Sequence, residues 1–334
     1  MKVAVCSAQS YDREFLSEAN ANFKHELAFF EGRLSEESAK LFAGFPAVCA
    51  FVNDVLNDNV LRTLAEQGTR LIALRCAGFN NVDVLAAENY AIRVVRVPAY
   101  SPHSVAEHTL ALILTLNRNT HRAYNRVRDG NFSLAGLLGS ELHDRTVGII
   151  GTGRIGQAVA QILHGFGCRL LAYDVAQNDQ CTALGARYVA LDELYRESDI
   201  ITLHCPLNQN TLHLIDDNAL RLMKRGVMII NTSRGGVVDT NALVAALKSG
   251  HVGHLGLDVY EQEDDLFFRD LSAHVIQDDV FERLLTFPNV LITGHQGFFT
   301  TEALDNIAHT TLENISTFEQ SGQCRNEVTS ALLR

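Results

Sequence analysis

Val147-Gly148-Ile149-Ile150-Gly151-Thr152-Gly153-Arg154-Ile155-Gly156 is the stretch on which the reading of the chain turns. An apolar run ends directly in a Gly-x-Gly-x-x-Gly turn, and a helical pattern follows to about residue 166. Strand, glycine turn and helix without a linker form the first half of a βαβ unit. Gly151 makes the tight turn, Gly153 lets backbone approach a pyrophosphate, and Gly156 lets the helix pack on the strand. The helix N-terminus presents free N–H groups and the positive end of its dipole to the anion. A second run, 170–173, ends in Asp174, 18 residues past Gly156. A carboxylate there accepts hydrogen bonds from the adenosine ribose hydroxyls and repels a 2′-phosphate, which predicts NAD rather than NADP.

Outward from this unit the same alternation continues. Apolar runs at 147–150, 170–173, 200–204, 227–231, 255–259 and 290–293 read as strands. Helical patterns at about 154–166, 192–197, 216–224 and 240–249 separate the first five, as in a doubly wound parallel sheet. Residues 264–285, including Asp265-Leu266-Phe267-Phe268 and Asp278-Asp279, are too many for a plain connection and read as a structured insertion near a site. Before it, 101–128 reads as one long helix entered through Pro102, apolar at Leu110, Leu112, Ile113, Leu114 and Leu116 and basic toward its end. The first hundred residues alternate runs at 3–6, 27–30, 47–52, 71–74 and 94–97 with amphipathic stretches at about 10–22, 35–43, 58–67 and 83–89. This predicts a second parallel sheet covered on both faces.

Composition narrows the function classes. The 334 residues carry 28 Lys+Arg against 39 Asp+Glu, a net charge of −11 that opposes non-specific attraction to nucleic acid or anionic membrane. The longest apolar runs fall far short of the roughly 20 residues of a membrane span. The run after Lys2 is too short for a signal peptide. Seven cysteines without a Cys-x-x-Cys pair point to reduced thiols and a cytoplasmic protein.

Three polar segments follow strands of the second series: Asn231-Thr232-Ser233-Arg234-Gly235-Gly236, Asp258-Val259-Tyr260-Glu261-Gln262-Glu263 and Gly294-His295-Gln296-Gly297-Phe298. Ligands of open α/β sheets bind at such carboxyl ends. A guanidinium there can clamp a substrate carboxylate, and a carboxylate-supported imidazole can exchange a proton at neutral pH. The pair His251-x-x-His254 has a spacing that a metal could use but no third ligand nearby, so no metal site is expected. His103 and His108 read as packing or interface residues, Arg122, Arg126 and Arg128 as an exposed or subunit-facing edge. Cys205 reads as part of a cofactor wall, since no supporting base is identifiable. His204 ends a strand beside the cofactor and either touches it or packs behind it.

Taken with Val97-Pro98-Ala99-Tyr100-Ser101-Pro102 and His204-Cys205-Pro206-Leu207, these motifs resemble the D-isomer-specific 2-hydroxyacid dehydrogenases over almost the whole chain. The segments Asp265-Leu266-Phe267-Phe268 and Val275-Ile276-Gln277-Asp278-Asp279-Val280-Phe281 resemble the fermentative D-lactate dehydrogenase branch. The resemblance implies a Rossmann NAD domain, residues 101–298, inserted into a flavodoxin-like substrate domain made of 1–100 and 299–334, with a cleft that closes over the ligands. It implies that Arg234 binds the substrate carboxylate, that His295 is the acid–base, and that Glu263 orients His295 and favours its protonated form. It places Arg154 and Ile155 at the pyrophosphate, and Cys205, Pro206, Thr232, Ser233 and Asp258 around the nicotinamide. Ala77, Gly78 and Tyr100 meet the substrate carboxylate, and Phe298 limits the pocket. One departure stands out: relatives often carry Asn two residues before the histidine of the segment after Pro206, and here Thr211 precedes His213. The implied activity is reversible reduction of pyruvate to D-lactate by NADH, in a homodimer or homotetramer. Two alternatives stay open: a dehydrogenase for bulkier 2-oxoacids, and an NADH-sensing protein-binding module.

Overall fold

The computed structural model of the chain describes residues 1–263 and 266–333, and divides into two compact units, residues 1–101 with 298–334 and residues 102–297. Asp264, Asp265 and Arg334 lie outside the described residues, so the structure does not bear on the first residue of the Asp265-Leu266-Phe267-Phe268 motif.

In the first unit, short β-branched and apolar runs form five parallel strands: β1 (Lys2–Val5), β2 (Glu26–Phe29), β3 (Ala47–Ala50), β4 (Leu71–Leu74) and β5 (Arg93–Val95). Their order is β2-β1-β3-β4-β5, the flavodoxin-like arrangement. Every residue of β3 and β4 is buried, as expected of strands covered on both faces. The covering helices are α1 (Ser10–Asn20), α2 (Asp58–Glu66), α3 (Val84–Asn89) and the C-terminal helix Thr301–Ser321, whose Ala308, Leu312 and Ile315 pack into the core of β1, β3 and β4. The stretch expected to be helical at 35–43 forms only a 3-10 turn at Ala39–Phe42.

The second unit opens with α4 (Pro102–Arg118) and α5 (Thr120–Arg128). The single long helix expected here is interrupted at Asn119, which takes a left-handed conformation at φ 51°. Asparagine tolerates that region because its short amide bonds locally. Beyond the break α5 buries no residue, whereas α4 inserts Leu110, Ile113 and Leu116 into the core. There follow β6 (Thr146–Ile150), α6 (Arg154–Gly165), β7 (Arg169–Tyr173), α7 (Asp179–Ala183), β8 (Arg187–Tyr188), α8 (Leu191–Glu197), β9 (Ile200–Leu203), α9 (Asp217–Leu222), β10 (Val227–Asn231), α10 (Thr240–Lys248), β11 (Val252–Leu257), α11 (Asp279–Leu285) and β12 (Val290–Ile292). The sheet runs β12-β11-β10-β9-β6-β7-β8, all parallel, and its order reverses between β6 and β9. This is the Rossmann winding, with a ligand crevice at the carboxyl ends of the strands flanking the reversal. The two-residue edge strand β8 adds a seventh member to the six strands read from the sequence.

Candidate active site

The glycine loop sits between β6 and α6. Gly151 lies at φ +92°, and a Cβ there would come within 2.6 Å of the His204 carbonyl carbon and the Cys205 amide. At Gly156 a Cβ would stand 1.9 Å from the Gly151 oxygen, so helix and turn touch backbone to backbone. Gly153 faces open space, with no atom within 4 Å of a Cβ built there. It is also the N-cap of α6 and provides no side chain to satisfy the first-turn amides. An open cradle over uncapped N–H groups fits a dinucleotide pyrophosphate.

Asp174 follows β7. Its Oδ2 accepts from the Thr152 amide at 2.6 Å and from the Thr152 hydroxyl at 3.2 Å, while Oδ1 accepts from the Ala176 amide at a long 3.4 Å. Tyr188 on β8 donates to the Thr152 hydroxyl at 2.8 Å and accepts from the Asn178 amide at 2.8 Å. One carboxylate oxygen is thus tied to the loop, and the other keeps most of its accepting capacity.

At the end of β9, His204 Nε2 pairs with the Thr202 hydroxyl at 3.1 Å, and its Nδ1 is buried without a hydrogen-bond partner among the described residues. That burial pushes the ring down to about 3, so it is neutral at physiological pH. Burial also pushes the neighbouring Cys205 thiol up to about 11, which suits a wall residue and not a nucleophile. Thr211 donates to the Pro206 carbonyl at 2.6 Å and so braces the turn that carries Pro206.

After β10 the buried Asn231 shapes the arginine turn. Its Oδ1 accepts from the Ser233 amide and hydroxyl at 3.0 and 2.9 Å, and its Nδ2 donates to the Arg234 carbonyl at 2.8 Å. The Arg234 guanidinium bonds the Ser233 carbonyl at 2.6 Å. Thr232 is buried and Ser233 half-buried. Gly235 brings this turn against the segment after β11, where a Cβ would lie 2.1 Å from the Tyr260 carbonyl carbon.

His295 and Glu263 meet in a side-chain hydrogen bond. His295 Nδ1 lies 2.8 Å from Glu263 Oε1, and Glu263 Oε2 accepts from the Tyr260 amide at 2.9 Å. Both side chains are mostly withdrawn from solvent, at 16% and 19% exposure. His295 takes a left-handed backbone, φ 55°. Asp258 lies beneath, 2% exposed, and its Oδ1 accepts from the Gln296 amide at 2.9 Å and its Oδ2 from the Gly297 amide at 2.8 Å. Burial alone would raise its carboxyl, but hydrogen bonds from His108 and Thr293 and the nearby imidazoles hold it below the usual carboxylate range.

Sequence reasoning missed two participants. Phe268, in the inserted segment and itself left-handed at φ 62°, lays its ring 5.6 Å from that of His295. Its place in the branch-specific motif was the available signal. His108, assigned to packing or an interface, points its Nε2 at Asp258.

Within the first unit, Arg96 donates to the Ala77 carbonyl at 2.9 Å and Cys76 Sγ to the Gly78 carbonyl at 3.3 Å, which fixes the turn after β4. Phe298 packs on Phe51 and Tyr100, with ring centroids 5.9 and 6.4 Å away.

Residues 110–297 match the profile of the D-isomer specific 2-hydroxyacid dehydrogenase NAD binding domain. The chain is 52% identical over 328 residues to the D-lactate dehydrogenase of Escherichia coli, covering 98% of this chain and 100% of that protein. It is 54% identical over 319 residues to 2-hydroxyacid dehydrogenase homolog 1 of Schizosaccharomyces pombe, covering 95% and 96%. The apo-structure of the Escherichia coli D-lactate dehydrogenase superposes with a TM-score of 0.90 at 50% identity, over 98% of this chain and 100% of that one. Glycine loop, the carboxylate after β7, arginine turn and histidine–glutamate pair thus stand in a chain matched along nearly its whole length: it belongs to the D-isomer specific 2-hydroxyacid dehydrogenase family.

Proposed function

We propose that the chain is an NAD-dependent D-lactate dehydrogenase working chiefly as a pyruvate reductase. The observation that carries this reading is the Glu263–His295 pair, set beyond the carboxyl ends of β11 and β12, beside the β10 end that carries the Arg234 turn. Gly151, Gly153, Arg154, Ile155 and Gly156 hold the pyrophosphate, Asp174 the ribose, and Cys205, Pro206, Thr232 and Ser233 flank the nicotinamide, with Asp258 behind them. NADH, when bound, supplies the hydride. Arg234 forks onto the substrate carboxylate and polarises the keto oxygen. Because His295 Nδ1 is committed to Glu263, Nε2 is the nitrogen that gives a proton to the keto oxygen in reduction and takes it from the hydroxyl in oxidation. In the first unit, Ala77, Gly78, Tyr100 and Phe298 are the residues that face the substrate in this reading.

The same reading makes the protein a cytoplasmic homodimer or homotetramer of fermentative metabolism that binds neither nucleic acid nor membrane. Supporting assembly, Phe132, Leu134 and Leu138 are 75%, 82% and 94% exposed in the segment after α5, an apolar display that a lone subunit leaves in water. Supporting a reducing compartment, Cys6, Cys49, Cys168, Cys181, Cys205 and Cys324 form no disulfide. Among the described residues no helix is long and apolar enough to cross a membrane.

The test is the rate of NADH and NADPH oxidation with pyruvate, 2-oxobutyrate, phenylpyruvate, hydroxypyruvate and glyoxylate. Pyruvate with NADH is expected to give the highest kcat/KM. Preference for phenylpyruvate would assign a bulkier substrate, and no turnover with any of the five would favour a sensing module.

A further inference from the structure

The helix α4 makes side-chain hydrogen bonds to all three catalytic loops of its unit. Ser104 donates to the Gly297 carbonyl at 2.7 Å, in the turn after β12. One helical turn on, His108 Nε2 lies 3.1 Å from Asp258 Oδ1, after β11, and 3.0 Å from the Thr293 hydroxyl. Next to it, Thr109 Oγ1 is 2.9 Å from the Thr232 hydroxyl, after β10. Since the Asp258 carboxylate only accepts and the Thr293 hydroxyl spends its proton on that carboxylate, His108 Nε2 is the nitrogen that carries a proton and donates.

Asp258 is where these contacts bear on the chemistry. Its two oxygens hold the consecutive amides of Gln296 and Gly297, directly after His295, and Thr293 donates to the same Oδ1 that His108 faces. His295 itself sits at φ 55°, a conformation that side chains seldom adopt unless neighbours impose it. The packing leaves the turn little freedom: a Cβ on Gly297 would stand 2.9 Å from Asp258 Oδ2 and 3.6 Å from the His108 ring.

We propose that His108 is a positioning residue for the reaction: through Asp258 it holds the turn that keeps His295 in its left-handed, Glu263-facing pose, and α4 thereby keeps three catalytic loops in mutual register. This rests on His295 being the proton donor of the proposed dehydrogenase. A donor at this point matters because Asp258 is almost fully buried, and losing one of its partners lets the carboxylate and the amides on it shift. A displacement of about 1 Å at a reacting group lowers turnover by up to about a hundredfold.

The test compares His108→Leu, which fills the space without a donor, with His108→Gln, whose amide nitrogen can reach where Nε2 was. Two readouts are taken: kcat and KM for the best 2-oxoacid, and hydrogen exchange of the peptide spanning 290–300 in the ligand-free protein. His108→Leu is expected to lower kcat about tenfold to a hundredfold, to leave NADH affinity within about threefold because the glycine loop is untouched, and to speed exchange at 296–297 but not in α6. His108→Gln is expected to restore both readouts. Unchanged exchange and kcat in His108→Leu, or a Gln variant as impaired as the Leu variant, would overturn the proposal. A wild-type protein inert toward every 2-oxoacid, with exchange behaving as expected, would instead sink the dehydrogenase reading and leave the His108 anchor standing. If His108→Leu fails to fold, His108→Asn, whose shorter amide falls short of Asp258, is read by the same criteria.

Discussion

Replacing Gly235 by alanine should disable catalysis without dismantling the protein. The new Cβ would lie 2.1 Å from the Tyr260 carbonyl carbon, 2.2 Å from its oxygen and 2.3 Å from the Glu261 amide nitrogen. All three are backbone atoms, so no rotamer change can clear them. Carbon–carbon contact is comfortable only beyond about 3.5 Å, so the two segments must separate by at least about 1 Å. One carries Arg234 in the residue just before; the other carries Glu263, whose carboxylate is tied to the Tyr260 amide and to His295. Whichever gives way, the carboxylate clamp and the proton donor lose their common register. A 1 Å error of this kind costs about a hundredfold, or about 2.7 kcal/mol of transition-state stabilisation. The overpacking itself costs about 1–3 kcal/mol of folding stability, less than a typical reserve of about 5–15 kcal/mol. Steady-state kinetics with pyruvate, NADH binding by fluorescence and a thermal melt separate these effects. The expected pattern is kcat/KM down about a hundredfold with a folded protein and NADH affinity nearly intact. A variant within threefold of wild type would show that the loops part without cost, and that their contact does not set the geometry.

Arg234→Lys should lower kcat/KM for pyruvate while sparing NADH affinity, because an ammonium cannot reproduce a two-pronged fork; near-wild-type kinetics would place the substrate carboxylate elsewhere. Asp174→Ala should weaken NADH and narrow its advantage over NADPH, and equal losses with both cofactors would remove Asp174 from the ribose. Glu263→Gln keeps a hydrogen-bonding amide beside His295 Nδ1 but gives up a charge-assisted bond, so kcat should fall while NADH affinity stays nearly intact; an unchanged kcat would show that Glu263 does not hold the ring in place. His204 titrates near 3 when folded and near about 6.5 when unfolded, so its contribution to stability is intact above the higher value. It is lost as pH falls toward the lower one, at up to about 1.4 kcal/mol per pH unit. His204→Gln should flatten the loss of stability between pH 6 and 4 (roughly the window those values define), and an unchanged slope in denaturant titrations would refute it.

What could be read in advance follows from where chemistry sits in such a fold. Gly151, Gly153 and Gly156 are legible because each answers a steric demand of one local turn, and the Cβ clashes at Gly151 and Gly156 bear that demand out. Arg234, Glu263 and His295 each stand within a few residues of a strand end, so strand periodicity brings them to one edge of the sheet. The break at Asn119 was hidden because an asparagine in a polar, helix-compatible run carries no Gly or Pro to announce it. The strand β8 is too short to show a period. His108 reads as any half-buried helix position, and its partner Asp258 is 150 residues away along the chain. Phe268 reaches His295 only because a left-handed residue turns the insertion back, and single-residue conformations of that kind leave no periodic trace.

With Asp174 at the ribose, as proposed, its hydrogen bonds to Thr152 couple cofactor choice to the integrity of the glycine loop. Thr152 is 3% exposed, and its amide has the Asp174 carboxylate as acceptor at 2.6 Å. A substitution that removes every side-chain oxygen at position 174 also orphans a buried N–H, at about 1–3 kcal/mol. A lineage drifting toward NADPH therefore meets a valley at alanine or glycine, and the passable route runs through asparagine or serine, which drop the charge but keep an oxygen for Thr152.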